Sequence, residues 1–288
     1  MSTPRRPTLV TPDVLRTWPL PDPGSSKHDR GHVLVLGGSV GNPGAVILAG
    51  TAALRVGAGV LALGVDERTA VAVAVAVPEA SVIGITFAAP GADLDPRLDG
   101  VDAVVVGPGL DDADDTFRLL EALVAGGRFD APLVLDAFGL GVLADRPAEF
   151  RRLLPSDLVL TPNPDEARRL LGDDEAPELD DAPAVAAAVA TARDATVAYQ
   201  RHISTPTGEV FHVPDGDPGL GTCGSGDVLA GALGGLLARG MAPLEAACWA
   251  VYLHAASGDR LSRAIGGVGY LAREIVAELP RTLRDVSS

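Results

Sequence analysis

The 288-residue sequence contains only two cysteines, Cys223 and Cys248, 4% aromatic residues, and a single lysine, Lys27, among its 23 basic residues. Two cysteines build neither a disulfide framework nor a zinc cluster, and they suit a reducing compartment, so the cytoplasm is the expected location. His28, His32, His202 and His212 form no metal-ligand spacing, and no metal-binding side-chain set is expected. With so few aromatics, the core has to be built from Ala, Val and Leu. No basic run with interleaved aromatics occurs, and the net charge of −15 repels a phosphate backbone, which argues against nucleic acid as a partner. Long apolar runs are missing too. Leu48 to Val65 is broken by Arg55 and several glycines, and Thr69 to Val77 is too short to span a bilayer. Met1 to Thr17 mixes Pro and Arg without an apolar stretch, unlike a secretory signal. A soluble protein with no membrane association is expected.

The sequence is nevertheless rich enough to fold, at 47% hydrophobic and 21% charged residues. Short apolar runs at His32–Leu36, Val60–Val65, Val101–Val106, Leu133–Asp136 and Leu158–Thr161 read as strands. Between them, Ala45–Val56, Arg68–Val77, Asp115–Ala125, Pro164–Leu171 and about Ala184–Ala192 read as helices, the last after an acidic loop, Asp173–Pro183. This rhythm predicts an α/β fold, a mainly parallel sheet with helices on both faces. Thr196 to Val213 reads as short strands around a Pro206-Thr207-Gly208 turn, and Gly226–Arg239, Pro243–Leu261 and Gly267–Leu279 as closing helices with a frayed end. No linker or repeat interrupts the pattern, so residues 1–288 are expected to form one domain with its core at about 27–279.

Four motifs stand where such a fold ends its strands. Gly37-Gly38-Ser39 with Gly44-Ala45 joins an apolar strand to an Ala-rich helix, and there backbone N–H groups can approach a phosphate. Gly107-Pro108-Gly109-Leu110 follows another strand and should line the same crevice. In Thr161-Pro162-Asn163-Pro164-Asp165-Glu166 the two prolines fix the backbone, helix capping accounts for the carboxylates, and Asn163 is the candidate ligand residue. Gly221-Thr222-Cys223-Gly224-Ser225-Gly226-Asp227 opens a helix as an anion hole, and Asp227 in its first turn is stabilised as the anion. It is the candidate base for a hydroxyl attacking a phosphoryl group. His254 reads as a buried, hydrogen-bonded histidine.

In this order and at these separations the motifs resemble the ADP- or ATP-dependent NAD(P)H-hydrate dehydratases, a branch of the ribokinase-like superfamily, from about Lys27 to Leu279. The resemblance implies a three-layer ribokinase-like sandwich. It also implies an enzyme, a carbon–oxygen lyase, that restores hydrated NADH or NADPH by phosphorylating its ring hydroxyl at the expense of a nucleotide and then losing phosphate. By position, Ala45, Gly109 and Asn163 would contact the hydrate, Gly224 and Gly226 the nucleotide, and Asp227 the hydroxyl. Mg2+ is implied with ADP or ATP as co-substrate, a homotetramer as the assembly, and a separate NAD(P)H-hydrate epimerase as functional partner. The family's usual Thr-Pro-His-Pro has Asn163 here, and its Leu-Asp-Ala-Asp reads Leu135-Asp136-Ala137-Phe138. Its Lys-Gly-Ala stretch is replaced by Val197-Ala198-Tyr199-Gln200-Arg201-His202, which leaves Arg201 or Lys27 to supply the basic charge near the phosphates. Two other readings stay open, a kinase for a small alcohol and a catalytically weakened nucleotide or coenzyme sensor.

Overall fold

The computed structural model describes residues 7–94, 98–125, 129–146, 148–172 and 177–288. The first six residues of the segment read above as free of a signal, and Asp173–Ala176 of the acidic loop, lie outside the described residues. In chain order the elements begin with β1 (Thr8–Leu9), α1 (Pro12–Arg16), β2 (His32–Leu36), α2 (Pro43–Arg55), β3 (Val60–Asp66), α3 (Ala70–Ala76) and β4 (Ser81–Ile85). Next come α4 (Gly91–Leu94), β5 (Ala103–Val106), α5 (Ala113–Val124), β6 (Leu133–Leu135), α6 (Phe138–Ala144), α7 (Ala148–Arg151), β7 (Leu158–Leu160) and α8 (Pro164–Leu171). The chain closes with α9 (Ala182–Arg193), β8 (Thr196–Tyr199), β9 (His202–Ser204), β10 (Val210–His212), α10 (Ser225–Ala238), α11 (Pro243–Ala264) and α12 (Ala272–Ser287).

The strands form one ten-stranded sheet in the order β1-β10-β9-β8-β7-β6-β5-β2-β3-β4. All neighbours are parallel except around β9, which runs antiparallel to both β8 and β10. The central strands β5, β6 and β7 are apolar at every position because both faces are covered. Val33, Val35, Val105, Val134 and Val159 pack toward α2, α10 and α11. Their alternates Leu34, Leu36, Val104, Val106, Leu133, Leu135, Leu158 and Leu160 pack toward α5, α6, α8 and α9. This is the three-layer arrangement expected from the rhythm of apolar runs.

Several local expectations need correction. β4, α1, α4, α6 and α7 carry too few periodic residues to be read from sequence. β5 begins at Ala103 rather than Val101, because Asp102 turns its carboxylate to accept the His32 N–H at 2.8 Å. β6 ends at Leu135, so Asp136 lies in the turn beyond the strand. The last helix starts at Ala272, not Gly267, and runs to Ser287 through Pro280 instead of fraying. Its buried Leu279, Thr282 and Val286 anchor the final turns in spite of the backbone hydrogen bond that a helix proline removes.

One packing seam positions the site. A Cβ at Gly231 would stand 2.0 Å from the Ala49 carbonyl oxygen, and one at Gly235 would stand 2.6 Å from that of Ala53. The α2 and α10 backbones therefore touch, in parallel, with a four-residue step on each helix. Ala45 and Asp227 lie one turn earlier on the two helices, both of which begin at the carboxyl ends of the strands.

Candidate active site

Two helix starts facing the same space concentrate unpaired N–H groups and the positive ends of two macrodipoles. The loops after β2 and β5 close beside them. Gly38 and Ser39 donate their N–H groups to the carbonyls of Pro108 and Gly109 at 2.8 and 2.9 Å. Gly109 has φ +71°, and a Cβ there would lie 2.3 Å from the Asn42 carbonyl oxygen and 3.0 Å from the Ala45 Cβ. Only glycine satisfies both the conformation and the space. Ala45 and Gly109, assigned together from sequence, are thus neighbours in space. Among the described residues, the buried Ser39 hydroxyl beside them has no hydrogen-bond partner.

Gly224 caps α10 at φ +85°, and a Cβ there would meet Leu48 at 2.5 Å and Asp227 Oδ2 at 3.7 Å. The anion loop is therefore pressed onto α2. Behind it, Ser225 Oγ and the Ser225 carbonyl lie 2.8 and 3.1 Å from His254 Nε2. Burial pulls the His254 imidazole down to about 4, so it is neutral at neutral pH and serves as a brace for the loop, as its sequence context suggested. Asp227 is where the sequence expectation changes. A helix start favours a carboxylate, but burial outweighs it and lifts Asp227 to about 6. A base titrating there is still ionised at pH 7 and takes a hydroxyl proton more readily than an exposed aspartate.

Asn163 is the N-cap of α8. Its Oδ1 accepts the N–H groups of Asp165 and Glu166 at 2.9 and 3.0 Å, while its own N–H reaches Glu166 Oε2 at 2.8 Å. The capping box occupies the carbonyl side of the amide, which leaves the NH2 group as its donor toward a ligand. Asn163 also stands between two cavities. One, of about 670 Å³, is lined by Thr161, Asn163, Gln200, Arg201, Thr222 and Gly226, among others. The second, of about 480 Å³, includes Ala137, Phe138, Glu166 and Arg169. Arg201 reaches the first cavity from the tight β8–β9 turn, where Gln200 takes φ +52°. Lys27 does not reach this region. Its carbonyl lies against Gly59, just before β3, at the amino ends of the strands and the far end of the sheet. Of the two basic residues considered from sequence, Arg201 lines this cavity and Lys27 lies at the opposite ends of the strands.

Asp136, not singled out from sequence, sits at the same level. It is 7% exposed, and the Thr161 hydroxyl donates to its Oδ1 at 2.8 Å. The next residue, Ala137, has φ +46° and ψ −120°, a conformation costly for a residue with a Cβ and often associated with functional turns. The signal available in sequence was the lone Asp closing an apolar strand, in the position where open α/β sheets present ligand residues. Among the described residues no cluster of three or more His, Cys, Asp or Glu forms a metal cage. No helix among them is long and apolar enough to cross a membrane.

A family model described as NAD(P)H-hydrate dehydratase matches residues 33–281. Over 284 residues, 95% of each chain, the sequence is 41% identical to the ADP-dependent (S)-NAD(P)H-hydrate dehydratase of Xanthomonas campestris pv. campestris. Among solved structures, the ADP/ATP-dependent NAD(P)H-hydrate dehydratase of Bacillus subtilis, co-crystallised with ATP/Mg2+ and soaked with CoA, matches with a TM-score of 0.81. Its identity is 26%, over 98% of this chain and 100% of that one. A ribokinase-like superfamily protein from Enterococcus faecalis V583 matches with a TM-score of 0.82 and 25% identity, over 97% and 96% of the two chains.

Proposed function

The chain belongs to the NAD(P)H-hydrate dehydratase family and has its ribokinase-like fold, and from that premise we propose that it is a nucleotide-dependent dehydratase returning hydrated NADH or NADPH to the intact coenzyme. The observation that carries the reading is the pairing of α2 and α10. Ala45 and Asp227 each lie one turn before that contact on their helices, and Gly109 packs on Ala45 while Gly224 packs on Leu48. A hydroxyl held at Ala45 and Gly109 and a phosphoryl group held at Gly224 and Gly226 then meet beside one carboxylate.

The chemistry follows from that meeting. Asp227 takes the proton as the ring hydroxyl attacks the terminal phosphorus of the nucleotide, an O–P bond forms, and the bond to the bridging oxygen breaks. Exposed N–H groups at the start of α10 receive the charge on the moving phosphoryl group. Inorganic phosphate then leaves from the ester with cleavage of its C–O bond, the adjacent carbon loses a proton, and the ring double bond returns. Mg2+ is expected to enter as part of the nucleotide complex, where it neutralises phosphate charge in an acidic protein. Arg201 would hold the nucleotide phosphates and Asn163, through its NH2 group, the hydrate.

ADP, with ATP as alternative, is the proposed co-substrate, residues 1–288 are proposed to act as one domain assembling as a homotetramer, and the cytoplasm is the proposed location. The hydroxylated carbon is a stereocentre and the Xanthomonas relative is named for the (S) form, so an epimerase acting on the other hydrate is the proposed functional partner. The test is incubation of hydrated NADH with the protein, Mg2+ and either ADP or ATP. Return of the reduced-nicotinamide absorbance is expected. Accumulation of a stable phosphate ester would instead mark a kinase, and nucleotide binding without turnover a sensor.

A further inference from the structure

Phe138 takes no part in the reaction described above, yet it stands at the site. It opens α6 directly after the strained Ala137, and its ring is 39% exposed, in the wall of the second cavity. Gly141 and Val142 follow on the same face of that helix, three and four residues on. Asn163, Glu166 and Arg169 of α8 form the other wall. α6 and α8 follow the neighbouring parallel strands β6 and β7, so both helices start at the carboxyl ends of the sheet with this groove between them. Gly141 leaves the middle of the groove open, since a Cβ there would meet only the Arg169 guanidinium, at 3.3 Å. The far end is bridged by Arg169, whose Nε donates to Asp145 Oδ1 at 3.0 Å and whose second arm reaches the same carboxylate. Asp145 is seven residues beyond Phe138, roughly 10 Å along the helix.

The lining selects a flat, neutral ring. Ala113, Ala137, Phe138 and Val142 are apolar, and a cavity of about 480 Å³ is of the size that holds small molecules. An aromatic ligand gains a stacking face on Phe138. The charges around it largely cancel, because Arg169 is paired with Asp145, and Asp165 with Arg168 at 3.2 Å. Glu166 makes no ion pair among the described residues, so the charge left over is negative and opposes a phosphate. Asn163 is common to this groove and to the cavity that Arg201 and Gly226 line. A ligand held by the Asn163 amide with its reacting end in the crevice can therefore lay its remainder along the groove.

Resting on the repair reading above, we propose that the α6–α8 groove is the subsite for the adenosine half of the hydrated dinucleotide, with its adenine stacked on Phe138, and that the unpaired Glu166 disfavours a 2′-phosphate, so that hydrated NADH is preferred to hydrated NADPH. The nucleotide co-substrate fills the first cavity, and the hydroxylated ring lies at Ala45, Gly109 and Asp227. Adenine is the other ring that the hydrate carries, and the groove beside Asn163 receives it. A carboxylate, which Leu135-Asp136-Ala137-Phe138 lacks at its last position, would offer no such stacking face.

The test is calorimetric titration of NADH, the intact coenzyme, into the native protein, Phe138→Ala, Phe138→Tyr and Gly141→Leu, with ADP and Mg2+ saturating so that the first cavity is filled. NADPH and reduced nicotinamide mononucleotide, which lacks the adenosine half, are titrated alongside. Phe138→Ala should weaken NADH binding about tenfold, as loss of base stacking does, while Phe138→Tyr keeps most of the affinity. Gly141→Leu fills the groove without touching the start of α6 and should weaken NADH at least as much. None of the three should alter binding of the mononucleotide, and the native protein should bind NADPH about fivefold or more weaker than NADH. NADH affinity unchanged in Phe138→Ala, or an equal loss for NADH and the mononucleotide, would overturn the subsite. NADPH bound as tightly as NADH would overturn the discrimination. These readouts need no turnover. A native protein that binds in this pattern yet restores no hydrate would fail as a dehydratase and keep the groove, whereas one that restores hydrate with NADH affinity indifferent to the substitutions would keep the function and lose the groove.

Discussion

Replacing Gly231 by Ala tests whether the α2–α10 seam sets the active site. The new Cβ would stand 2.0 Å from the Ala49 carbonyl oxygen and 2.5 Å from the Ala49 Cα and carbonyl carbon. These are backbone atoms of a buried helix and cannot rotate away. Ordinary contact needs about 3.5 Å, so the helices must part by on the order of 1 Å. Overpacking of this kind costs about 1–3 kcal/mol, against which the higher helix propensity of Ala returns about 1 kcal/mol. A net loss of about 0–2 kcal/mol is expected, which lowers Tm by at most a few degrees for a chain of this size. The larger effect is on chemistry. Ala45 and Asp227 lie one turn up the same seam, and a displacement of about 1 Å between reacting groups lowers turnover about 10²-fold. Thermal unfolding and steady-state kinetics should be measured together, with Gly91→Ala as control, because nothing lies within 4 Å of a Cβ at that α4 glycine. A Gly231→Ala protein as active as the native one would show that this register does not govern the site.

Three further outcomes follow. Arg201→Ala should raise the nucleotide KM about tenfold with little effect on the hydrate, and Arg201→Lys should recover part of it; an unchanged nucleotide KM would move the basic role elsewhere. Asn163→Ala removes the acceptor for two α8 N–H groups, so stability should drop by about 1 kcal/mol in chemical denaturation and the hydrate KM should rise. A stability loss alone would limit Asn163 to capping. For Asp136 the folded value near 7 exceeds the ordinary 3.8, so its contribution is present in full at low pH and is lost as pH rises toward 7. The native protein should lose on the order of 4 kcal/mol across that window through this group, and Asp136→Asn should flatten the dependence in urea titrations; identical slopes would contradict the shift.

The fold was legible in sequence because the central strands are buried on both faces and bounded by glycine and proline. Val33 to Leu36 and Val104 to Val106 could hardly be anything else. β4 escaped notice because Ser81 and Gly84 dilute its pattern, and α6 because it starts from a strained alanine without a capping side chain. Within the site, the glycine-rich helix start around Asp227 could be located from local spacing, since backbone N–H groups at a helix N-terminus need no distant partner. Asp136 and Arg201 were harder. Asp136 matters through a hydrogen bond to Thr161, 25 residues away, and through burial that no local pattern encodes. Lys27 drew attention as a compositional exception, but composition carries no information about which end of a strand a residue occupies. The raised Asp227 carboxyl shows the same limit: the helix start was visible, and the desolvation that overrides it was not.

The central claim is that Asp227, set between two helix starts, takes the substrate proton. Asp227→Asn keeps the shape and removes the base, so turnover of the hydrate should fall about 10²-fold or more while calorimetry shows nucleotide affinity little changed. Undiminished turnover by a folded Asp227→Asn protein would contradict the account and reduce Asp227 to a helix-capping residue.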